Sequence, residues 1–122
     1  MRRMCLIAIA LAALTAPARA DDYPISGRWG ESTGSTKGPI NCAGKRVITF
    51  NGNQRTDSKG GVPAYRNKSV TPESRTTFRV VDVFSTGMQR NAFANYTLRL
   101  IDDDHIEMIQ RPGGTIKLQR CQ

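Results

Sequence analysis

The sequence has few of the residues on which catalytic and metal sites commonly depend. It contains one histidine, one tryptophan and three cysteines in 122 residues. The pattern shows no pairing of a nucleophile with a general base. We therefore expect no enzymatic activity, and the sequence predicts neither a catalytic residue nor a cofactor.

Long apolar runs are also missing, and the mature chain is predicted to lack a membrane-spanning segment. The longest run, Cys5–Leu14, has ten residues, whereas about 20 are needed to cross a bilayer. It follows two arginines and precedes Ala18-Arg19-Ala20, the pattern of a cleaved signal peptide rather than of an uncleaved anchor. The prediction is a signal peptide at 1–20, one domain at 21–122, and a periplasmic or secreted protein.

A strong charge of one sign is absent once the signal peptide is removed. That segment holds three arginines and no acidic residue, so the mature chain keeps 15 basic and 10 acidic residues, a net charge of +5. The basic residues are spread along the chain, without the clusters and interleaved aromatic residues that nucleic-acid binding favours. We expect no nucleic-acid partner and a solvated basic surface.

Two cysteines remain in the mature chain, Cys42 and Cys121. In a small secreted domain two cysteines most simply pair with each other, so a disulfide is favoured over a reactive thiol. The bridge would tie the C-terminus to an early loop of the chain.

Alternation of apolar and polar residues dominates the second half of the chain and predicts β-strands. The predicted strands are Arg46–Asn51, Thr76–Phe84, Phe93–Ile101, His105–Gln110 and Thr115–Arg120. Short connections rich in Asp and Gly, such as Pro112–Gly114, suit hairpin turns. No window shows a helical period, so we predict an all-β protein built as an antiparallel meander.

Two polar stretches interrupt the strand pattern, Glu31–Gly44 and Gly52–Glu73. A short strand is predicted near Val62–Arg66, inside the second stretch. Long loops without structure are uncommon in compact domains and are often functional. We expect both stretches to line one mouth of a barrel, with Tyr65 and Arg66 as candidate ligand-binding residues.

Asp82 is the third candidate for a ligand-binding mouth. It shares a strand face with Phe78, Val80 and Phe84, which places it toward the interior. A buried carboxylate needs a partner, such as an inward arginine or Tyr96. Alternatively, a bulge turns Asp82 toward water, and the sequence leaves both placements open.

The segment Asp102–His105 is the one place where acidic residues and the histidine meet. A metal site needs oxygen ligands that converge on one ion, whereas consecutive residues of a turn point in different directions. The pattern therefore favours a tight turn, and no metal is predicted.

Strand parity ties the two ends of the mature chain together. If Ile116 and Leu118 face inward, Arg120 does so too, whereas Cys121 faces outward. Arg120 could then lie over the ring of Trp29, a contact worth roughly 0.5–2 kcal/mol. The prediction is a small antiparallel up-and-down barrel of about 6–8 strands, in which Trp29 and Arg120 form a structural plug.

Gly27-Arg28-Trp29 on the first strand, with Arg120 ending the last, resembles the Gly-x-Trp and arginine pairing of lipocalins and related calycin barrels. In size, signal peptide and single disulfide the chain is similar to small bacterial lipocalin-like barrels, including periplasmic inhibitors of secreted metalloproteases. The resemblance implies the barrel and the Trp29–Arg120 pairing. The inhibitory activity is not carried over, because the disulfide of those inhibitors lies within the first half of the chain.

These observations together predict a monomeric, non-enzymatic binding protein. Its partner would be a small ligand in the barrel mouth, or an envelope protein bound through the loops in an inhibitor-like manner. The alternative is a basic structural protein of the envelope that associates with anionic surfaces.

Overall fold

Residues 22–122, which the computed structural model describes, form eight antiparallel strands closed into a barrel. The strands are β1 (Gly27–Glu31), β2 (Val47–Asn51), β3 (Gln54–Asp57), β4 (Tyr65–Pro72), β5 (Thr77–Phe84), β6 (Ala92–Asp102), β7 (His105–Gln110) and β8 (Thr115–Arg120). Each strand pairs with its neighbours in the chain, and β8 pairs with β1. The predicted all-β barrel is confirmed, with no helix between residues 22 and 122, and the predicted signal peptide at 1–20 lies outside the described residues.

No helix in this part of the chain has the length and hydropathy needed to span a membrane.

Five strands lie where the alternation predicts them, within one or two residues at each end. Their inward side chains form the core because period two places every second residue on the same face. Val80, Leu98, Met108 and Leu118 are fully buried along β5 to β8. On β2, Ile48 and Phe50 join them.

The polar stretch Gly52–Glu73, in which one short strand is predicted, contains two strands, β3 and β4. The strand predicted near Val62–Arg66 begins only at Tyr65 and continues to Pro72. Two features hide the alternation. The inward residue of β3 is a buried arginine, Arg55, and the register of β4 shifts at an irregularity after Asn67, which interrupts the period.

The β1–β2 connection, residues 32–46, crosses the outer face of the barrel, so the expectation that Glu31–Gly44 lines a mouth is wrong. Ile40 forms a parallel bridge with Cys121, and Cys42 is joined to Cys121 by the predicted disulfide. Gln119 points outward from β8 and is nevertheless fully buried, because the connection covers it. Its amide Nε2 donates to carbonyls of the connection at Thr36 and Gly38, over 3.0 and 2.6 Å.

Gly30 is required where the disulfide packs against the barrel wall. Trp29 faces inward from β1, so position 30 faces outward, beneath the β1–β2 connection. A Cβ atom at position 30 would lie 2.5 Å from the Sγ atom of Cys42. Only glycine leaves room for the sulfur at this distance.

Trp29 and Arg120 close one end of the barrel. They are directly opposite each other in the β1–β8 ladder, and the guanidinium lies 4.4 Å from the indole ring centroid. The indole is 1% exposed, whereas the side chain of Arg120 is 40% exposed. Arg120 therefore caps the ring from outside, and its Nε and Nη2 donate to the carbonyl of Asp103 over 3.1 and 2.9 Å.

Candidate functional site

The interior of the barrel contains a polar network centred on Asp82, which has no exposed surface. Its Oδ1 accepts hydrogen bonds from the Tyr23 hydroxyl at 2.8 Å and from Asn67 Nδ2 at 3.3 Å. Its Oδ2 accepts from Arg55 Nε at 2.8 Å and from the Tyr96 hydroxyl at 2.9 Å. Of the two placements that the sequence leaves open, Asp82 takes the inward one.

The electrostatics of this network keep its donors protonated. Burial raises the pKa of Tyr23 and Tyr96 well above the ordinary value of 10.0, and the neighbouring Asp82 adds to the increase. The guanidinium of Arg55 lies between two aromatic rings, 3.8 Å from the centroid of Tyr65 and 5.0 Å from that of Tyr96. A buried ion pair is tolerated when hydrogen bonds satisfy its remaining atoms, as they do for this carboxylate.

Among the described residues, Asn67 has the one buried side-chain polar atom that lacks a hydrogen-bond partner. Its Nδ2 is directed at carbonyls of Ser69 and Val81 as well as at Asp82. Its Oδ1 is buried without a hydrogen-bond partner.

Tyr65 and Phe84 form the mouth of the barrel above this network, with ring centroids 5.1 Å apart. Tyr65 covers Arg55, so these rings separate the ion pair from solvent. A shallow groove of about 350 Å³ runs outside them and is lined by Tyr65, Arg66, Phe84 and loop residues such as Asn91. Two of the three candidates from sequence, Tyr65 and Arg66, thus come together at this groove, whereas Asp82 lies beneath it.

Within residues 22–122, β4 has a free backbone edge where it extends past its pairing with β3. β3 and β4 are paired at only two positions, Gln54 with Arg66 and Arg55 with Tyr65. One further hydrogen bond follows, from Asn67 N–H to the carbonyl of Asn53 at 2.7 Å. From residue 68 to residue 72, β4 pairs with β5 alone. The sequence pattern does not reveal this edge, because the alternation of β4 is hidden among polar residues, although Pro72 is typical of an edge strand.

Exposed cations lie on the hairpin that carries this edge. Arg66, Lys68, Arg75 and Arg79 are exposed on the β4–β5 hairpin, against one exposed carboxylate, Glu73. Glu73 is paired with Arg79 at 3.1 Å. The Nζ atom of Lys68 lies 4.4 Å from the ring centroid of Phe93, which is about half exposed. The edge therefore combines unpaired backbone groups with a positive surface.

A second polar arrangement holds the β1–β2 connection to the β6–β7 turn. His105 Nδ1 is 2.7 Å from Asp102 Oδ1, and His105 Nε2 is 2.8 Å from the carbonyl oxygen of Thr36. Both ring nitrogens face acceptors, so the protonated imidazolium satisfies both contacts. The hydrogen bond to Asp102, followed by that to Thr36, raises the pKa of His105.

The Asp102–His105 segment is a turn, as the sequence favours. Asp102 Oδ1 accepts the backbone N–H of Asp104 at 2.9 Å, the arrangement of an Asx turn. Between residues 22 and 122, no group of three or more His, Cys, Asp or Glu side chains converges as metal ligands would. A surface groove of about 440 Å³ lies between this turn and the β1–β2 connection, lined by His105, Lys37 and Lys117 among others.

No protein-family model, curated protein or solved structure matches the chain. The small closed barrel is shown by the strand pairing itself. The pairing of Trp29 with Arg120 across the β1–β8 closure is consistent with a lipocalin-like barrel.

Proposed function

We propose that this chain is a non-enzymatic, lipocalin-like binding protein that recognises a protein partner through its outer surface. The observation that carries the proposal is the filled interior of the barrel. Small-molecule sites are concave, mostly apolar pockets of about 300–1,000 Å³ that enclose most of the ligand. In this barrel the corresponding volume is occupied by Phe50, Val80, Leu98, Met108 and the network around Asp82.

The residues at the mouth of the barrel also favour a partner that binds from outside over a ligand that enters the interior. A ligand that entered the barrel would have to displace Tyr65 from Arg55 and leave a buried guanidinium exposed to an apolar group. Losing such a cation–π contact costs roughly 0.5–2 kcal/mol, while the Arg55–Asp82 pair stays buried. Tyr65 and Arg66 remain available to a partner that binds from outside, whereas both carboxylate oxygens of Asp82 are occupied by donors of the protein itself.

An oxidising compartment is part of the proposal. Cys42 and Cys121 are joined across 79 positions of the chain, and disulfides of this kind persist in secreted and periplasmic proteins. The candidate signal peptide at 1–20 supports the same location. We therefore place the partner among envelope or secreted proteins.

The proposal is tested by crosslinking the purified, oxidised protein in an envelope extract and rebuilding the complex from the purified partner. We expect a complex of defined stoichiometry, and no stabilisation of the barrel by a library of small metabolites followed through Trp29 emission. A metabolite that raised the unfolding temperature and bound beneath Tyr65 would contradict the proposal. The same crosslinking with the urea-unfolded chain provides the control for non-specific capture.

Association with anionic envelope surfaces is the second candidate, favoured by the exposed cations of the β4–β5 hairpin. Such binding is electrostatic and weakens as the Debye length falls from about 10 Å at 0.1 M salt to about 3 Å at 1 M. Sedimentation with phosphatidylglycerol vesicles should then be abolished at high salt. Binding that persisted unchanged would exclude this role.

A further inference from the structure

We propose that the free edge of β4 accepts an extended acidic segment of the partner protein as an additional strand. This inference rests on the proposed function and names the surface and the chemistry of the partner. Strand addition at an open sheet edge uses main-chain hydrogen bonds for affinity and neighbouring side chains for specificity. The edge concerned is residues 68–72, which lie past Gln54, where β3 begins.

The hydrogen bonds of the β4–β5 hairpin show which backbone groups are free. Glu73 N–H donates to the carbonyl of Thr77 at 2.9 Å, which makes these two residues a hydrogen-bonded pair. Hydrogen-bonded and non-hydrogen-bonded pairs alternate along an antiparallel ladder. Thr71 therefore directs its backbone groups toward β5, whereas Val70 and Pro72 direct theirs toward the free edge.

These two residues make the edge short and selective. Val70 presents one N–H and one carbonyl, and its side chain is opposite Val80, on the inward face. Pro72 has no N–H to donate, so it ends the pairing. A short edge that carries lysine and proline is typical of strands that avoid pairing with copies of themselves.

Charge complementarity identifies the occupant. Arg66, Lys68 and Arg75 are exposed around the edge without an acidic partner among the described ion pairs, whereas Arg79 is paired with Glu73. A second copy of the same edge would bring like charges together, which costs free energy across a strand pair. Glutamate or aspartate on a foreign strand would instead meet the positive surface of the β4–β5 hairpin.

The first experiment uses two synthetic probes, an acetylated and amidated heptapeptide of alternating Glu and Val and its counterpart of alternating Lys and Val. We expect the acidic peptide to bind and to slow hydrogen exchange of the Val70 amide by about tenfold or more. The Lys peptide should do neither. If the acidic peptide does not bind, or binds without slowing exchange at Val70, the inference is wrong.

The second experiment separates the backbone from the charge. Val70→Pro removes the free N–H without removing a β4–β5 hydrogen bond, and should weaken peptide binding by about tenfold, the worth of one main-chain hydrogen bond. Lys68→Glu should weaken binding as well, whereas the matched control Lys117→Glu on β8 should not. If Val70→Pro unfolds, as judged by Trp29 emission, the Lys68 and Lys117 variants carry the test alone.

Two further outcomes would overturn the inference in favour of another occupant. A dimer in sedimentation equilibrium, with Val70 protected in the absence of peptide, would assign the edge to a second copy. Phosphatidylglycerol vesicles could also displace the acidic peptide without changing hydrogen exchange at the Val70 amide. That result would assign the exposed cations to a membrane surface. A captured partner that bound Val70→Pro and Lys68→Glu as well as the wild-type chain would retain the binding role and exclude the edge.

Discussion

Asp82 shows how a single residue can be positioned by strand parity and yet depend on residues that no pattern predicts. Its face on β5 follows from alternation with Val80 and Phe84. Its partners Tyr23 and Arg55 come from a segment before β1 and from the short β3, far apart in sequence. The carboxylate is stable in the interior only because these donors converge on it.

Replacing Asp82 with Asn should lower the free energy of unfolding by about 3–5 kcal/mol, because Arg55 would remain buried without a counter-charge. Urea unfolding followed by Trp29 emission measures the change. As a matched control, Glu73→Gln breaks the exposed pair with Arg79 and should cost less than about 1 kcal/mol. Equal effects of the two substitutions would show that the interior pair has no special role.

Gly30 gives a second prediction for a single residue. Gly30→Ala should destabilise the oxidised protein by about 1–3 kcal/mol, the usual cost of overpacking, because the new methyl group would collide with Cys42 Sγ. Urea unfolding and titration of free thiols measure the change. Gly87→Ala serves as the control, since a Cβ at Gly87 meets no atom within 4 Å. A Gly30→Ala protein with unchanged stability would contradict the packing described for the disulfide.

Among the structural elements, the β1–β2 connection has the least regular structure and the most specific attachments. Gln119 and His105 bind its carbonyl groups, and the disulfide fixes its second half to the end of β8. These attachments replace the strand pairing that the connection lacks. The element therefore forms an outer layer on the barrel instead of a loop at its mouth.

The attachment at His105 should depend on pH. The folded protein raises the pKa of His105 above 6.5 through Asp102 and Thr36, so the stabilisation is fully present below about pH 6.5 and is lost as the pH rises through the folded value. The same contact lowers the pKa of Asp102. The stability that Asp102 contributes is therefore lost only as the pH falls into the acid range. NMR titration of the imidazole should show the raised pKa, and the amides of the β1–β2 connection should have smaller exchange protection factors, corrected for the intrinsic pH dependence, at higher pH.

Asp102→Asn provides the control for this titration. The substitution removes the charged partner of His105 and keeps a side chain of similar shape, so the imidazole pKa should fall toward its ordinary value. Asp104 also faces His105 and contributes a smaller increase, so part of the shift should remain. A His105 pKa that stays the same in the variant would exclude the Asp102 contact as the main cause.

For the whole molecule, the closure of β1 on β8 and the disulfide beside it hold the two ends of the folded chain together. The closing ladder pairs three residues, Trp29, Gly30 and Glu31, with the end of β8. Cys121 N–H also donates to the carbonyl of Arg28 at 2.9 Å. The bridge therefore reinforces a closure that backbone hydrogen bonds already form.

The double variant Cys42→Ser, Cys121→Ser should lose about 4–5 kcal/mol of unfolding free energy, because a closed loop of 79 positions is released in the unfolded chain. This is a large share of the roughly 5–15 kcal/mol typical of a domain. Urea unfolding should give the same free energy of unfolding for the variant and for the reduced wild-type protein. A loss of less than about 1 kcal/mol in both would show that the unfolded chain is already restricted by other contacts.

The sequence by itself determined most of the barrel wall. Strong alternation in β5 to β8 gave the strands, their inward faces and the turns between them, because each strand has one face in the core and one in water. Strand parity also determined that Cys121 points outward, and the oxidising compartment expected from sequence favoured its disulfide with Cys42. The same parity placed Arg120 opposite Trp29, although its exposure at the rim was not evident from the pattern.

Only the tertiary structure decided the middle of the chain and the candidate binding surface. β3 carries a buried arginine and β4 an irregular register, so neither shows the period on which a sequence prediction depends. The partners of Asp82, the cover over Gln119 and the free edge at Val70 all arise from residues that are distant in sequence and meet only when the barrel closes. Their free energy comes from those long-range contacts, and no local pattern of residues can reveal it.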